Sequence, residues 1–150
     1  MDIKRRRASA VIIKGSKVLL IHRIDGDAEY WTFPGGGIET NETPEEAIKR
    51  EVKEETNLNV HKCSEIFEDV DVFASTHNTF FLCETKGNQI QLGGPEANLQ
   101  STKNLHLIEW TEIVDIENLK LVPKSSKVKF LEFYKTNMLS SIPKSFGEGN

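Results

Sequence analysis

A glycine-rich entry followed by a capped, glutamate-dense helix constrains this 150-residue chain more than any other stretch. Thr43 with Glu46 three residues later is a capping-box pattern. Pro44 falls in the first turn, where proline forfeits no hydrogen bond, so the spacing predicts a helix from Pro44 to about Thr56. At about 100° per residue, Glu51, Glu54 and Glu55 share an arc of roughly 100°, with Ala47 one turn before Glu51 on the same side. Ile48 and Val52 form the adjacent apolar stripe, so the acidic face borders the buried one. The helix must lie on a core, with its carboxylates at the edge of that contact.

Most glutamate-rich helices simply present a solvated face, and part of this one fits that description. Glu45 with Lys49 and Glu46 with Arg50 are favourable i,i+4 pairs. Glu51 and Glu55 differ, being a like-charge i,i+4 pair flanked at that spacing by Ala47 and Asn59 rather than by a cation. A divalent cation would relieve their repulsion. Hard ions such as Mg²⁺ take oxygen ligands from few carboxylates, keep several waters and share the phosphate oxygens of a substrate.

The stretch Gly36 to Leu58 resembles the Nudix box, G-x5-E-x7-R-E-U-x-E-E-x-G-U with U aliphatic. Gly36, Glu42, Arg50, Glu51, Val52, Glu54, Glu55 and Leu58 match at the required spacing, and Asn57 stands where glycine is usual. Asparagine tolerates the left-handed conformation better than other non-glycine residues, so the turn is expected to survive at modest cost. The resemblance, to the MutT-like Nudix hydrolases, implies an α+β fold: an α/β/α sandwich with a mixed β-sheet. It implies Mg²⁺, with Mn²⁺ able to substitute, held by Glu51, Glu54, Glu55 and the Gly36 carbonyl. Glu42 and Arg50 enter as supporting residues, Arg50 to orient the glutamates. The implied reaction is hydrolysis of a phosphoanhydride bond in a nucleoside diphosphate linked to another moiety, including oxidised or ordinary nucleoside triphosphates. A nucleotide sensor of the same fold that does not hydrolyse its ligand is the alternative. Its mark would be degraded box glutamates, and here all are intact. Isomerase chemistry on an isoprenoid diphosphate would need a catalytic cysteine, and neither Cys63 nor Cys83 has a recognisable context for it.

The length is that of one domain, taken as residues 1–150 with a frayed tail from about 138. Charged residues at 28% and hydrophobic ones at 37% fit a globular protein, and no apolar run approaches a membrane span. The N-terminus lacks the apolar core of a secretory signal, so the expected location is the cytoplasm. Cys63 and Cys83 read as isolated reduced thiols. A net charge of −4 argues against a stable nucleic-acid complex. Lys4 to Arg7 form a basic cluster, read as the polar start of an edge strand rather than as a phosphate contact. The expected partner is a small nucleotide derivative, with the oligomeric state open.

Ala8 to Lys14 and Lys17 to Arg23 read as a hairpin joined at Gly15-Ser16. Tyr30 to Phe33 forms a short strand that must stop at Pro34, with the following glycines as a loop. Asn59 to Ala74 and Asn78 to Glu84 read as strands around Ser75-Thr76-His77, with further strands at Ile90 to Leu92 and Leu105 to Thr111. Glu112 to Leu119 reads as a short helix. Pro123 opens another through Lys135, with Val128, Leu131 and Phe130 or Tyr134 giving a mixed apolar face.

Outside the box, Arg23 is a candidate phosphate contact by charge and position, weighed against a surface salt bridge. Phe33, just before the glycines, could stack on a base or pack in the core. The general base is placed at Glu54, Glu55 or Glu96. The last follows the Gly93-Gly94-Pro95 break in a polar segment and is weighed against an ordinary exposed glutamate.

Overall fold

The computed structural model describes residues 4–86 and 104–139. The strands are β1 (Arg5–Val11), β2 (Ile13–Lys14), β3 (Lys17–Asp25), β4 (Ala28–Thr32), β5 (Gly35–Gly37), β6 (Asn59–Asp71), β7 (Thr76–Lys86) and β8 (Asn104–Glu112). The helices are α1 (Pro44–Thr56) and α2 (Lys124–Phe133), with a 3₁₀ segment at Ile113–Asn118 and a π-helical turn at Tyr134–Leu139. Among the described residues one sheet has the order β5-β1-β7-β6, mixed because β1 and β7 are parallel, and in the other β3 lies between β4 and β8 with β2 also paired to it.

Alternation along the strands makes the sandwich. Ala8, Ala10, Phe81 and Cys83 point to one side, where Ala47, Ile48 and Val52 of α1 complete a core. Val11, Val18, Leu20 and Phe80 point to the other, where Ile116 and Phe130 close a second core. Residues of β1 and β7 are buried on both faces, as strands covered by helices on both sides must be. The fold is therefore the expected α/β/α sandwich with a mixed sheet.

Several local expectations change. The first apolar run is split: β1 pairs with β5 and β7, and only the two residues of β2 form the hairpin with β3 across Gly15-Ser16. The chain changes sheets at Ile12, whose carbonyl accepts from Leu19 N–H at 2.9 Å, while Ala10 N–H donates to Pro34 O at 2.8 Å. The basic cluster thus opens an interior strand, not an edge. Gly35–Gly37 is itself the edge strand, which proline-bounded glycines can form because only one side must be paired. The β6–β7 turn falls earlier than expected, with Ser75 at φ 53° and Thr76 already in β7. Pro123 caps α2 from outside its first turn, and of the expected apolar face Phe130 is buried while Val128 is exposed and Ser126 is buried in its stead. The expected strand at Ile90 to Leu92 lies outside the described residues.

Candidate active site

Local chemistry sets α1 as its sequence dictates. Thr43 Oγ1 accepts from Glu46 N–H at 3.1 Å and the Glu46 carboxylate accepts from Thr43 N–H at 2.9 Å, so both groups of the capping box are satisfied. Asn57 closes the helix at φ 68°, its N–H donating to Lys53 O. Helix α1 lies on β1 and β5 and turns its glutamates toward the glycine strand.

There the glycines admit groups that side chains would exclude. A Cβ on Gly36 would fall on the Glu51 carboxylate, and one on Gly35 would meet the Ala8 carbonyl. Gly35 also adopts φ 151°, which residues with a Cβ rarely occupy. Its N–H donates to Glu55 Oε1 at 2.8 Å. Glu51 and Glu55 thereby both lie against the backbone of β5.

Arg50 gathers the rest. Its Nε and Nη2 donate to the two Glu42 oxygens at 2.8 and 2.9 Å, Nη2 also to Gly37 O at 3.0 Å, and Nη1 to Glu51 Oε2 at 3.0 Å. Glu54 Oε1 lies 3.5 Å from Nη1. The Arg50 hydrogen bonds, with a backbone N–H from Glu39, push the Glu42 carboxyl down to about 2. Arg50 does not take the i,i+4 partner expected for it, because Glu46 is spent on the cap. The repulsion expected between Glu51 and Glu55 is instead tempered by Arg50 and by Arg7 of β1. Burial and neighbouring Arg5 press the Arg7 guanidinium below its ordinary value, while Glu55 and Glu51 pull it upward.

Among the described residues no three His, Cys, Asp or Glu side chains stand close enough to cage an ion. The donor set nevertheless suits one. Mg²⁺ is bound through one or two carboxylates plus substrate oxygens rather than by a dedicated cage. Glu51 against the Cβ-free Gly36, with Glu54 and Glu55 adjoining, supplies such oxygens.

The remaining candidates are dispersed. Arg23 stands on β3 with its guanidinium 5.6 Å from the Tyr30 ring centre, and no ion pair or hydrogen bond joins it to the box. Phe33 is buried, edge-on to Phe80 and Phe130, and also lines a cleft of about 400 Å³. Glu96 lies outside the described residues. Arg7, which borders this cleft and feels two box glutamates, was missed by treating residues 4–7 as one run. The alternation of Arg5, Arg7 and Ser9 against Arg6, Ala8 and Ala10 was the available signal.

Comparison with known proteins agrees with this geometry. A family model described as NUDIX domain matches residues 4–131. The 8-oxo-dGTP diphosphatase of Proteus vulgaris is 40% identical over 63 residues, 41% of this chain and 56% of that protein. An RNA pyrophosphohydrolase of Pseudomonas savastanoi pv. phaseolicola is 45% identical over 60 residues, 40% of this chain and 32% of that one. The matched segments thus span little more than half of the first relative and a third of the second. Among solved structures, a MutT from a study of Aliivibrio salmonicida and Vibrio cholerae superposes with TM-score 0.67 at 21% identity, covering 86% of this chain and 95% of that one. An ADP compounds hydrolase gives TM-score 0.67 at 16% identity over 94% of this chain and 76% of its own. At such identities these structures speak to the fold.

Proposed function

Because the chain belongs to the Nudix family, we propose that it is a divalent-metal-dependent pyrophosphohydrolase acting on a small nucleotide derivative, with nucleoside triphosphates the first substrates to try. The observation that carries this is Glu51 lying against the Cβ-free Gly36 and Glu55 bonded to Gly35 N–H, with Glu54 beside Glu51 at the Arg50 guanidinium. Glu51, Glu54, Glu55 and the Gly36 carbonyl would hold the ion, Mg²⁺ or in its place Mn²⁺. When bound, such an ion neutralises phosphate charge and lowers the pKa of an attacking water.

The chain's own groups do the rest. Arg50, tied to Glu42 and Gly37 O, fixes Glu51 in one orientation. Gly35 N–H does the same for Glu55. Arg7, across the glycine strand, offers a cation to phosphate oxygens, and Arg23 remains a candidate second contact. Proton acceptance from the attacking water falls to Glu54, Glu55 or Glu96, and Glu54 is more exposed than Glu51. The curated relatives support the reaction class by their names, diphosphatase and pyrophosphohydrolase. With no helix of the described residues long and apolar enough to cross a membrane, a cytoplasmic substrate pool suits the reading.

A panel of nucleoside triphosphates, 8-oxo-dGTP among them, nucleotide sugars, ADP-ribose and dinucleoside polyphosphates, assayed with Mg²⁺ and Mn²⁺, tests it. Metal-dependent cleavage of the phosphoanhydride is expected, giving pyrophosphate from a triphosphate or a second phosphorylated fragment from the other substrates, and falling on the order of a hundredfold or more in Glu51→Gln. Tight nucleotide binding with the ligand unchanged after long incubation would turn the assignment to a sensor.

A further inference from the structure

We propose that Cys63 and Cys83 are a redox pair, in which a peroxide oxidises Cys63 and Cys83 resolves it into a reversible disulfide joining β6 to β7 beneath α1. The two residues stand directly opposite each other in the antiparallel ladder of those strands, so their side chains leave the sheet on the same face. Cys83 is buried in the core that α1 completes, and Cys63 packs against that core from its edge. Both are free thiols here. Opposed residues of an antiparallel ladder have α-carbons about 4.5 to 5.5 Å apart, inside the range of about 4.4 to 6.8 Å that a disulfide spans. The bridge therefore needs the rotation of two side chains and no new path for the backbone.

Their surroundings divide the roles. Cys63 is half-buried, and its thiol donates to Glu45 Oε2 at 3.6 Å. Burial first, and the Glu45 carboxylate after it, hold this thiol above its ordinary value, while Lys49 pulls it down. Burial pushes Cys83 up to about 12, and its thiol donates to Phe81 O at 3.6 Å. Cys63 is thus the thiol that meets an oxidant from solvent, with a carboxylate placed to take its proton. Cys83 has almost no thiolate of its own, and its fixed place opposite Cys63 supplies a high local concentration instead. Beside it a cavity of about 530 Å³, bordered also by His61, Lys86 and Trp110, gives the released water room.

The electrons balance with hydrogen peroxide as the oxidant. The Cys63 sulfur attacks one peroxide oxygen, the O–O bond breaks, and the departing hydroxide takes the thiol proton and becomes water. Cys63 is then a sulfenic acid. The Cys83 sulfur attacks the Cys63 sulfur, the S–O bond breaks, and the second hydroxide leaves as water with the Cys83 proton. Two thiols have given up two electrons, and one peroxide has become two waters. The neutral bridge spares the core beneath α1 the charge that a sulfinic acid would place there.

The test exposes the full chain to excess hydrogen peroxide at neutral pH, blocks the remaining thiols with iodoacetamide and reads masses. Trypsin leaves both cysteines in one peptide, residues 63–86, whereas cleavage after glutamate puts them in two, residues 56–65 and 69–84. Both thiols are expected to disappear together, leaving the intact chain lighter by two hydrogens and the two glutamate fragments joined until dithiothreitol parts them. Crosslinking these positions closes a loop of about 20 residues, so the bridged chain is expected to melt about 5 to 10 °C above the reduced one. In Cys83→Ala, dimedone should trap a sulfenic acid on Cys63 where the parent protein yields little. Sulfinic acid on Cys63 with Cys83 still a thiol overturns the inference. So does a bridge between copies of the chain, or thiols that react only after denaturation, or a bridged chain that melts no higher. Should Cys83→Ala not fold, the fragment masses of the parent protein decide.

Discussion

Two cations in this molecule are each clasped by carboxylates, and they behave in opposite ways. Arg50, midway along α1, joins Glu42, Glu51 and Glu54. His22 on β3 stands between Glu109, 2.8 Å from Nδ1, and Glu29, 2.7 Å from Nε2, stacked on Trp31 at 4.1 Å. A guanidinium is always charged, so the first clasp holds at any pH that leaves Glu42 ionised. An imidazole facing two acceptors must carry both protons, so the second holds only when charged. Permanence falls beside the glutamates that would bind metal, and titratability falls on the other sheet.

The largest effect should come from removing a carboxylate charge in the first clasp or beside it. Glu51→Gln or Glu55→Gln is expected to cut turnover on the order of a hundredfold or more, in steady-state assays at saturating Mg²⁺. Relief of the Glu51–Glu55 repulsion is not expected to stabilise the helix, since each substitution also weakens a bond from Arg50 or from Gly35 N–H. Near-normal rates in both variants would remove the metal role from this face. Arg50→Lys keeps the charge and loses the fork, so a smaller fall of about 10- to 100-fold is expected, with the metal concentration for half-maximal rate rising. An unchanged metal requirement would mean that Arg50 supports the fold and not the carboxylates.

The two clasps should also separate on a pH axis. Burial lowers the His22 pKa, but hydrogen bonds to Glu109 and Glu29 outweigh it and the net shift is upward. Its stabilisation is therefore complete below the unfolded value of 6.5 and is lost as pH rises through the higher folded value. Glu42 runs the other way: depressed from 4.5 to about 2, it stabilises above 4.5 and ceases to as pH falls toward 2. Thermal melts from pH 5 to 9 should lose a few degrees on the alkaline side in the parent protein and less in His22→Gln. Identical slopes would show that the imidazole is not charged in the fold. The smallest effect belongs to the helix terminus. Asn57→Gly at φ 68° should stabilise by up to about 0.5 kcal/mol, read as a rise of a degree or two in Tm.

What the sequence made legible was local. Thr43, Pro44, Glu46 and Asn57 act within one helix, and their spacing alone forecasts its bounds. The fold class followed from the resemblance and from the order of strands and helices. Pairings across the chain were harder: β1 meets β7 about 70 residues away in parallel, and apolar periodicity does not say which strand is the neighbour. The same limit hid Arg7 and the pairing of Cys63 with Cys83, whose meaning arises only when the strands come together. Glu96 lies in a polar segment with no such local signature, outside the described residues.

Strand β1 carries both halves of the molecule's chemistry on its two faces, alanines under the glutamate helix and Arg5, Arg7 and Ser9 toward the cleft. Insertions should therefore be tolerated very unevenly along the chain. An extra residue at the exposed Gly26-Asp27 turn between β3 and β4 need only lengthen a surface connection. The same insertion between Arg7 and Ser9 would exchange the two faces for every residue on one side of it, driving arginine beneath α1 and leaving the cleft lined by alanine. Tolerance to indels across the first forty residues should fall to a sharp minimum at Arg5–Val11, deeper than at any of the acidic residues themselves.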